Sequence, residues 1–240
     1  MKGIAPQTEA IFEQIAQLEC ISSYTLIGGT ALALQLGHRL SEDLDFCRWR
    51  RTATEKNSVD WPAIKRELST IGEVSTDVVD YNICDFKVKG VKITFYDNNR
   101  ASAPVGLQRL PYLNKLTIAD VASIGIMKME VMTRRRTHRD YYDMWAILES
   151  GVALASIIYG AGKYAEHRLS TKNMLAMLTD VSSITADAAF GHLSPSCDTN
   201  LQQLEQSISA KVMQYIEDNH LQKKPSLAAI TERFKNVAPQ

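Results

Sequence analysis

Apolar residues along this chain recur first at helical spacing, then at strand spacing, then at helical spacing again. Ile11, Phe12, Ile15 and Leu18 share one side of residues 8–19, which predicts an amphipathic helix. A short apolar run over 24–27 stops at Gly28-Gly29-Thr30, predicting a strand that opens into a helix over 30–36. Residues 44–47 alternate in polarity, as a half-buried strand does. A helix over 60–71, ended by Gly72, leads to strand-like segments at 74–79, 83–88 and 91–96. Residues 97–116, with Pro104 and Pro111, read as a loop that marks a boundary. Beyond Thr117 the pattern predicts helices over 118–133, 138–150, 170–179, 199–220 and 226–236, with Asp198 and Ser226 as N-caps. The expected architecture is α/β (α+β). A small mixed-sheet core over 1–110 precedes a helical bundle over 111–240, with a cleft between them.

Composition narrows this picture without naming a chemistry. At 240 residues the chain can bury a substantial core, as one large domain or two small ones. Its 27 basic residues balance 27 acidic ones, so no whole-molecule field draws it to nucleic acid. Locally, Arg48, Arg50 and Arg51 cluster, as do four arginines and a histidine over 134–139. Either cluster could flank a polynucleotide site or lie on a solvated loop, and Trp49 could stack on a base or cover the sheet edge. Cys20, Cys47, Cys84 and Cys197 are scattered without a CxxC pair, which indicates neither a zinc site nor a disulfide framework. The start lacks the apolar core of a signal peptide, and the least polar stretch, 151–162, is too short to span a bilayer. A soluble cytoplasmic protein is expected.

The candidate chemistry lies between residues 24 and 47, in YTLIGGTALALQLGHRLSEDLDFC. In a strand, Asp43 and Asp45 point one way while Leu44 and Phe46 point into a core. Two carboxylates held side by side repel, and a fold tolerates this mainly where a cation sits between them. Hard oxygen ligands in that arrangement suit Mg²⁺ (or Mn²⁺) carrying a nucleoside triphosphate. Gly28 and Gly29 let the backbone approach a phosphate, and amides at a helix N-terminus favour its charge. A second stretch, 117–151, places Asp120, Ile124 and Lys128 at i, i+4 and i+8. Thr117 with Asp120 resembles a capping box for the first of its two helices. In the second, which stops at Gly151, Tyr141, Trp145 and Leu148 form a buried stripe while Asp140 and Asp143 share another side.

Strand, GGT, helix and acidic pair together resemble the DNA polymerase β-like nucleotidyltransferase superfamily. More closely, GGTALALQLGHRLSEDLDF resembles the AbiEii/AbiGii-type nucleotidyltransferase toxins of bacterial toxin–antitoxin and phage-defence systems. The resemblance implies transfer of NMP from an NTP to an acceptor, with RNA (the tRNA 3′ end) as acceptor and an antitoxin as cognate partner. Transfer to a protein hydroxyl is the alternative acceptor chemistry. It further implies that Asp43 and Asp45 hold the metal, that Gly28, Gly29, Thr30 and Ser41 grip the phosphates, and that Lys128, Arg139, Asp140 and Asp143 complete the site. Among these, Lys128 and Asp140 join the acidic pair as catalytic candidates, and Arg139 and Asp143 as nucleotide-binding ones. One part departs from the superfamily pattern. A third carboxylate is expected on the strand VKITFYD, where alternation puts Thr94 at the acidic position. Asp97 falls on the other face, and Asp85 on the preceding strand is a weaker substitute. A catalytically weakened member that only binds nucleotide or a partner is therefore a further reading.

Overall fold

The computed structural model describes residues 2–219 except 53, 56, 100, 101, 167, 188 and 189. The helix expected over 226–236, with its cap Ser226, lies outside the described residues. Helix α1 (Pro6–Gln17) buries Ile11, Phe12 and Ile15, the stripe read from the sequence. Strand β1 (Thr25–Ile27) runs directly into α2 (Gly28–Leu36), and β2 (Leu44–Trp49) follows. Helix α3 (Trp61–Leu68), with Pro62 in its first turn and Asp60 as N-cap, leads to β3 (Val74–Val79), β4 (Ile83–Val88) and β5 (Val91–Asn98).

The expected loop over 97–116 contains two more strands, β6 (Arg109–Leu113) and β7 (Leu116–Ala119). Pro111 is tolerated because β6 is an edge strand, where a missing N–H costs no central ladder bond. The seven strands form one mixed sheet in the order β3-β4-β5-β2-β1-β7-β6. Pairs β2–β5 and β1–β7 are parallel, and the others are antiparallel. The hairpin β6–β7 spans the expected boundary at 110, so strands from both sides of that point share the sheet.

Thr117 lies in β7, and Asp120 itself caps α4 (Val121–Val131) by accepting from the Ser123 amide at 3.0 Å. Thr137 caps α5 (His138–Glu149), whose chain reverses at Gly151 with φ +94°. Helix α6 (Leu154–Tyr164) was not expected, although Leu154, Ile157, Ile158 and Ala161 recur at helical spacing and form its buried face. It forms against α4: a Cβ on Gly160 would meet Ile126 Cδ1 at 2.2 Å, so the glycine permits the close crossing. Helices α7 (Thr171–Thr179), capped by Ser170, and α8 (Leu201–Asp218) complete the bundle. Asn200, rather than Asp198, caps α8, in a capping box with Gln203. Among the described residues no helix is long and apolar enough to cross a membrane.

Candidate active site

The turn from β1 into α2 has glycine at both positions for steric reasons. Gly28 has φ +70°, and a Cβ there would lie 3.0 Å from Asp45 Oδ2. At Gly29 a Cβ would meet Arg39 Nη2 at 2.4 Å and Ser41 Oγ at 3.2 Å. No side chain caps α2, so its first-turn amides face the space beside these groups. Thr30 is buried, and its hydroxyl donates to the Asp43 carbonyl and lies 2.8 Å from Ser41 Oγ. It thereby pins the loop that carries Ser41 and Asp43, and it lines neither of the two cavities of the site.

Asp43 stands just ahead of β2, and Asp45 pairs in register with Ile27 of β1 and Thr94 of β5. Burial, then the Asp43 charge, push the Asp45 carboxyl above its usual range. Lys92, the Thr94 hydroxyl and Lys128 offset this only in part, and the remaining repulsion, with the Gly28 cradle and hard oxygen donors, fits a divalent cation held by the two aspartates. The described residues contain no cluster of three or more His, Cys, Asp or Glu ligands, so substrate oxygens and water would complete the shell.

Lys128 reaches this place from α4. Its ammonium lies 2.9 Å from Asp140 Oδ1 and 2.5 Å from Asp143 Oδ2, with only 7% of the residue exposed. Asp140 also accepts from Thr137 Oγ1 at 2.8 Å. Asp143 is fully buried. Arg39 donates to it twice, Nε at 2.7 Å and Nη2 at 2.9 Å, and His38 Nε2 lies 2.8 Å away. Burial is the largest influence and alone would raise both carboxyls, but Lys128, Thr137 and Arg135 together outweigh it at Asp140, and Lys128, Arg39 and His38 together outweigh it at Asp143. Asp140 ends below its usual range and Asp143 well below. Burial opposes the Arg39 charge as well, yet Asp143 raises its pKa overall.

A polar cavity of about 300 Å³ gathers Gly29, Ser41, Asp43, Asp45, Lys128, Arg139 and Asp140, together with Arg39, Lys92 and Arg135. An adjoining apolar cavity of about 240 Å³ shares Gly29, Asp45, Lys128 and Asp140 and extends along Gly28, Ile83, Tyr96, Ile124 and Met127. Asp143 lines neither, so its place is beneath the site, orienting Lys128 and Arg39. Arg139 lines the polar cavity while its Nε donates to Asp187 at 3.0 Å. Grooves elsewhere, such as that between Val152 and Tyr215, are larger but gather no comparable cluster of charge.

Three alternatives that the sequence leaves open are decided by the structure. Arg48, Arg50 and Arg51 line neither cavity; they pair with Asp97, Glu166 and Glu55. Trp49 is buried and donates to the Tyr164 hydroxyl at 3.3 Å, so it covers the sheet instead of awaiting a base. From the second cluster only Arg135 and Arg139 reach the polar cavity, while Arg136 donates to the Met177 carbonyl at 2.6 Å and holds a loop. Arg39 escaped the sequence reading, since its partner Asp143 lies 104 residues away. Its one signal was an arginine inside the motif loop GHRLSED.

A family model described as "Nucleotidyl transferase AbiEii toxin, Type IV TA system" matches residues 10–231. The chain belongs to the AbiEii nucleotidyltransferase toxin family. Among individual relatives, the uncharacterized protein aq_aa25 of Aquifex aeolicus (strain VF5) is 26% identical over 151 residues, covering 62% of this chain and 68% of that one. Two solved structures share the fold. JHP933 from Helicobacter pylori aligns with TM-score 0.52 and 16% identity, over 92% of this chain and 100% of its own. The nucleotidyltransferase toxin MenT4 (Rv2826c) from Mycobacterium tuberculosis H37Rv aligns with TM-score 0.52 and 14% identity, over 80% and 74%.

Thr94, which the sequence puts at the expected third-carboxylate position, pairs in register with Asp45 in this AbiEii family member. Its Oγ1 donates to Asp85 Oδ1 at 2.8 Å, and Asp97 is buried in its ion pair with Arg48. Cys47 is buried, and burial followed by the Asp97 charge raises its thiol well above the usual range, which makes it inert.

Proposed function

We propose that the chain transfers a nucleoside monophosphate from an NTP to an acceptor hydroxyl and releases pyrophosphate. The observation carrying this reading is the meeting of the Asp43/Asp45 pair with Lys128 in one polar cavity at the N-terminus of α2. Asp43 and Asp45 would hold Mg²⁺ or Mn²⁺, which when bound neutralises charge on the triphosphate. The Gly28 and Gly29 backbone and the Ser41 hydroxyl would cradle the phosphates, and the apolar cavity would take the base. The acceptor oxygen bonds to the α-phosphorus as the bond from that phosphorus to its bridging oxygen breaks. Pyrophosphate leaves with the electron pair, and the acceptor proton passes to solvent. Lys128, held by Asp140 and Asp143, would stabilise the charge that develops.

An RNA acceptor, the tRNA 3′ end, is favoured over a protein hydroxyl by Arg135 and Arg139 on the cavity wall, where a polynucleotide phosphate would pass. The family description, a toxin of a type IV TA system, supports a cognate antitoxin, and the resemblance extends this to growth arrest or phage defence. Dependence on NTP supports action in the cytoplasm. Thr94 favours a second reading, a nucleotide-binding member with weakened catalysis. The test is incubation with each labelled NTP and total tRNA, followed by separation of RNA from protein. Label on RNA, lost in Asp43→Asn, is the expected result. Label on protein supports the other acceptor, and nucleotide binding without transfer supports the weakened member.

A further inference from the structure

The registers of β2, β5 and β4 set Asp45, Thr94 and Asp85 in one row across three adjacent strands. In that row the hydroxyl separates the two carboxylates and bonds to the outer one. Lys92 stands two residues before Thr94 on β5, hence on the same face, and its ammonium lies 2.9 Å from Asp85 Oδ2. Both Asp85 oxygens are thereby engaged by β5 side chains. Asp85 does not line the polar cavity, whereas Lys92 does, together with Asp43, Asp45 and Lys128. The space beside the acidic pair is therefore offered a cation in place of a third carboxylate.

We propose that Lys92 is a direct ligand of the triphosphate, its ammonium neutralising phosphate charge on the side of the acidic pair where a third carboxylate would otherwise gather a second metal ion. A fixed ammonium there repels a second divalent cation and contributes its own positive charge to the phosphates. The side chain is 48% exposed, so the ammonium is reachable from the cavity. Asp85, by contrast, is buried, so Lys92 stands at the open end of this pair, neutralising Asp85 on one side and facing the cavity on the other. Lys92 lines the same cavity as Asp45 and Asp43 and interacts electrostatically with both, which places its charge beside the acidic pair.

This inference rests on the nucleotidyl-transfer reading, and the experiment separates the two. Binding of inorganic tripolyphosphate and of each NTP to the full chain is measured by calorimetry with Mg²⁺ present. Lys92→Met should weaken both by about ten- to a hundredfold, the loss of one charge-assisted hydrogen bond. Lys92→Arg should retain most of the affinity. Asp85→Asn, which frees the ammonium, should leave affinity unchanged or tighter. Unchanged affinity in Lys92→Met would overturn the inference alone, as would equal weakening by Lys92→Met and Asp85→Asn. Failure of the wild-type chain to bind tripolyphosphate or any NTP would overturn the transfer reading, and this inference with it.

Discussion

With Lys128 removed, Asp140 and Asp143 would stay buried and lose the cation they share. From the sequence a lysine at a cleft contributes little to stability, but at 7% exposure its loss leaves uncompensated charge. Lys128→Ala should therefore destabilise the fold by about 3–5 kcal/mol, the usual consequence of breaking a buried pair. Turnover should fall by about two orders of magnitude. Chemical denaturation with and without the substitution checks the first number, and an unchanged midpoint would place Lys128 at the surface. Asp45 behaves oppositely. Its carboxyl titrates higher in the fold than in the free chain, so its stabilising contribution is present at low pH and lost as pH rises through the folded value. Asp45→Asn should raise the melting temperature at pH 7 without divalent cations, by ~1–3 °C. A lowered melting temperature there would mean that Asp45 is already paired. The acidic pair was legible because alternation around Leu44 and Phe46 is a local pattern. The partners of Asp143 were not, since Arg39 and His38 meet it only through the fold.

Helix α5 is attached to the motif loop after α2 chiefly through charge. Asp143 binds Arg39 and His38, and the Tyr142 hydroxyl donates to the His38 carbonyl at 3.1 Å. Asp140 and Asp143 both have depressed folded pKa values, so their contribution is complete above about pH 4, the ordinary carboxylate range, and is lost as pH falls below it. Melting temperature should accordingly hold from pH 7 to about pH 5 and drop steeply below about pH 4, with a shallower drop in Asp140→Asn. Calorimetric scans across that range test this, and a profile flat to pH 3 would contradict it. At this scale the sequence revealed most of the elements with a clear period. α1, α5 and β5 carry strong amphipathic or alternating patterns. β6 was hidden by Pro111, which an edge position tolerates, whereas α6 was missed although Leu154, Ile157, Ile158 and Ala161 repeat at helical spacing.

Across the whole molecule, β1 lies between β2 and β7, so its ladder is incomplete without residues beyond 110. Buried residues from Ile4 to Val212 form one continuous apolar cluster. Separately expressed fragments 1–110 and 111–240 should each lack fixed tertiary structure, and the intact chain should unfold in a single transition. Near-ultraviolet circular dichroism of the fragments, alone and mixed, tests both halves of that statement. A natively folded 1–110 fragment would show that the sheet is stable without β7. The mixed core and helical bundle were legible from the change of period near Thr117, but the shared sheet was not, because a parallel pairing such as Leu26 with Ile118 leaves no local trace.

That distant strand also bears on how such a chain is made. A ribosome releases the GGT turn and both aspartates long before it has polymerised Ile118, Lys128 or Asp143. Until those residues emerge, Arg39 has no counter-ion and β1 no outer neighbour. A nascent or prematurely terminated polypeptide would carry the acidic motif without its basic counterpart, so that the complete site could assemble only after synthesis had passed its second half.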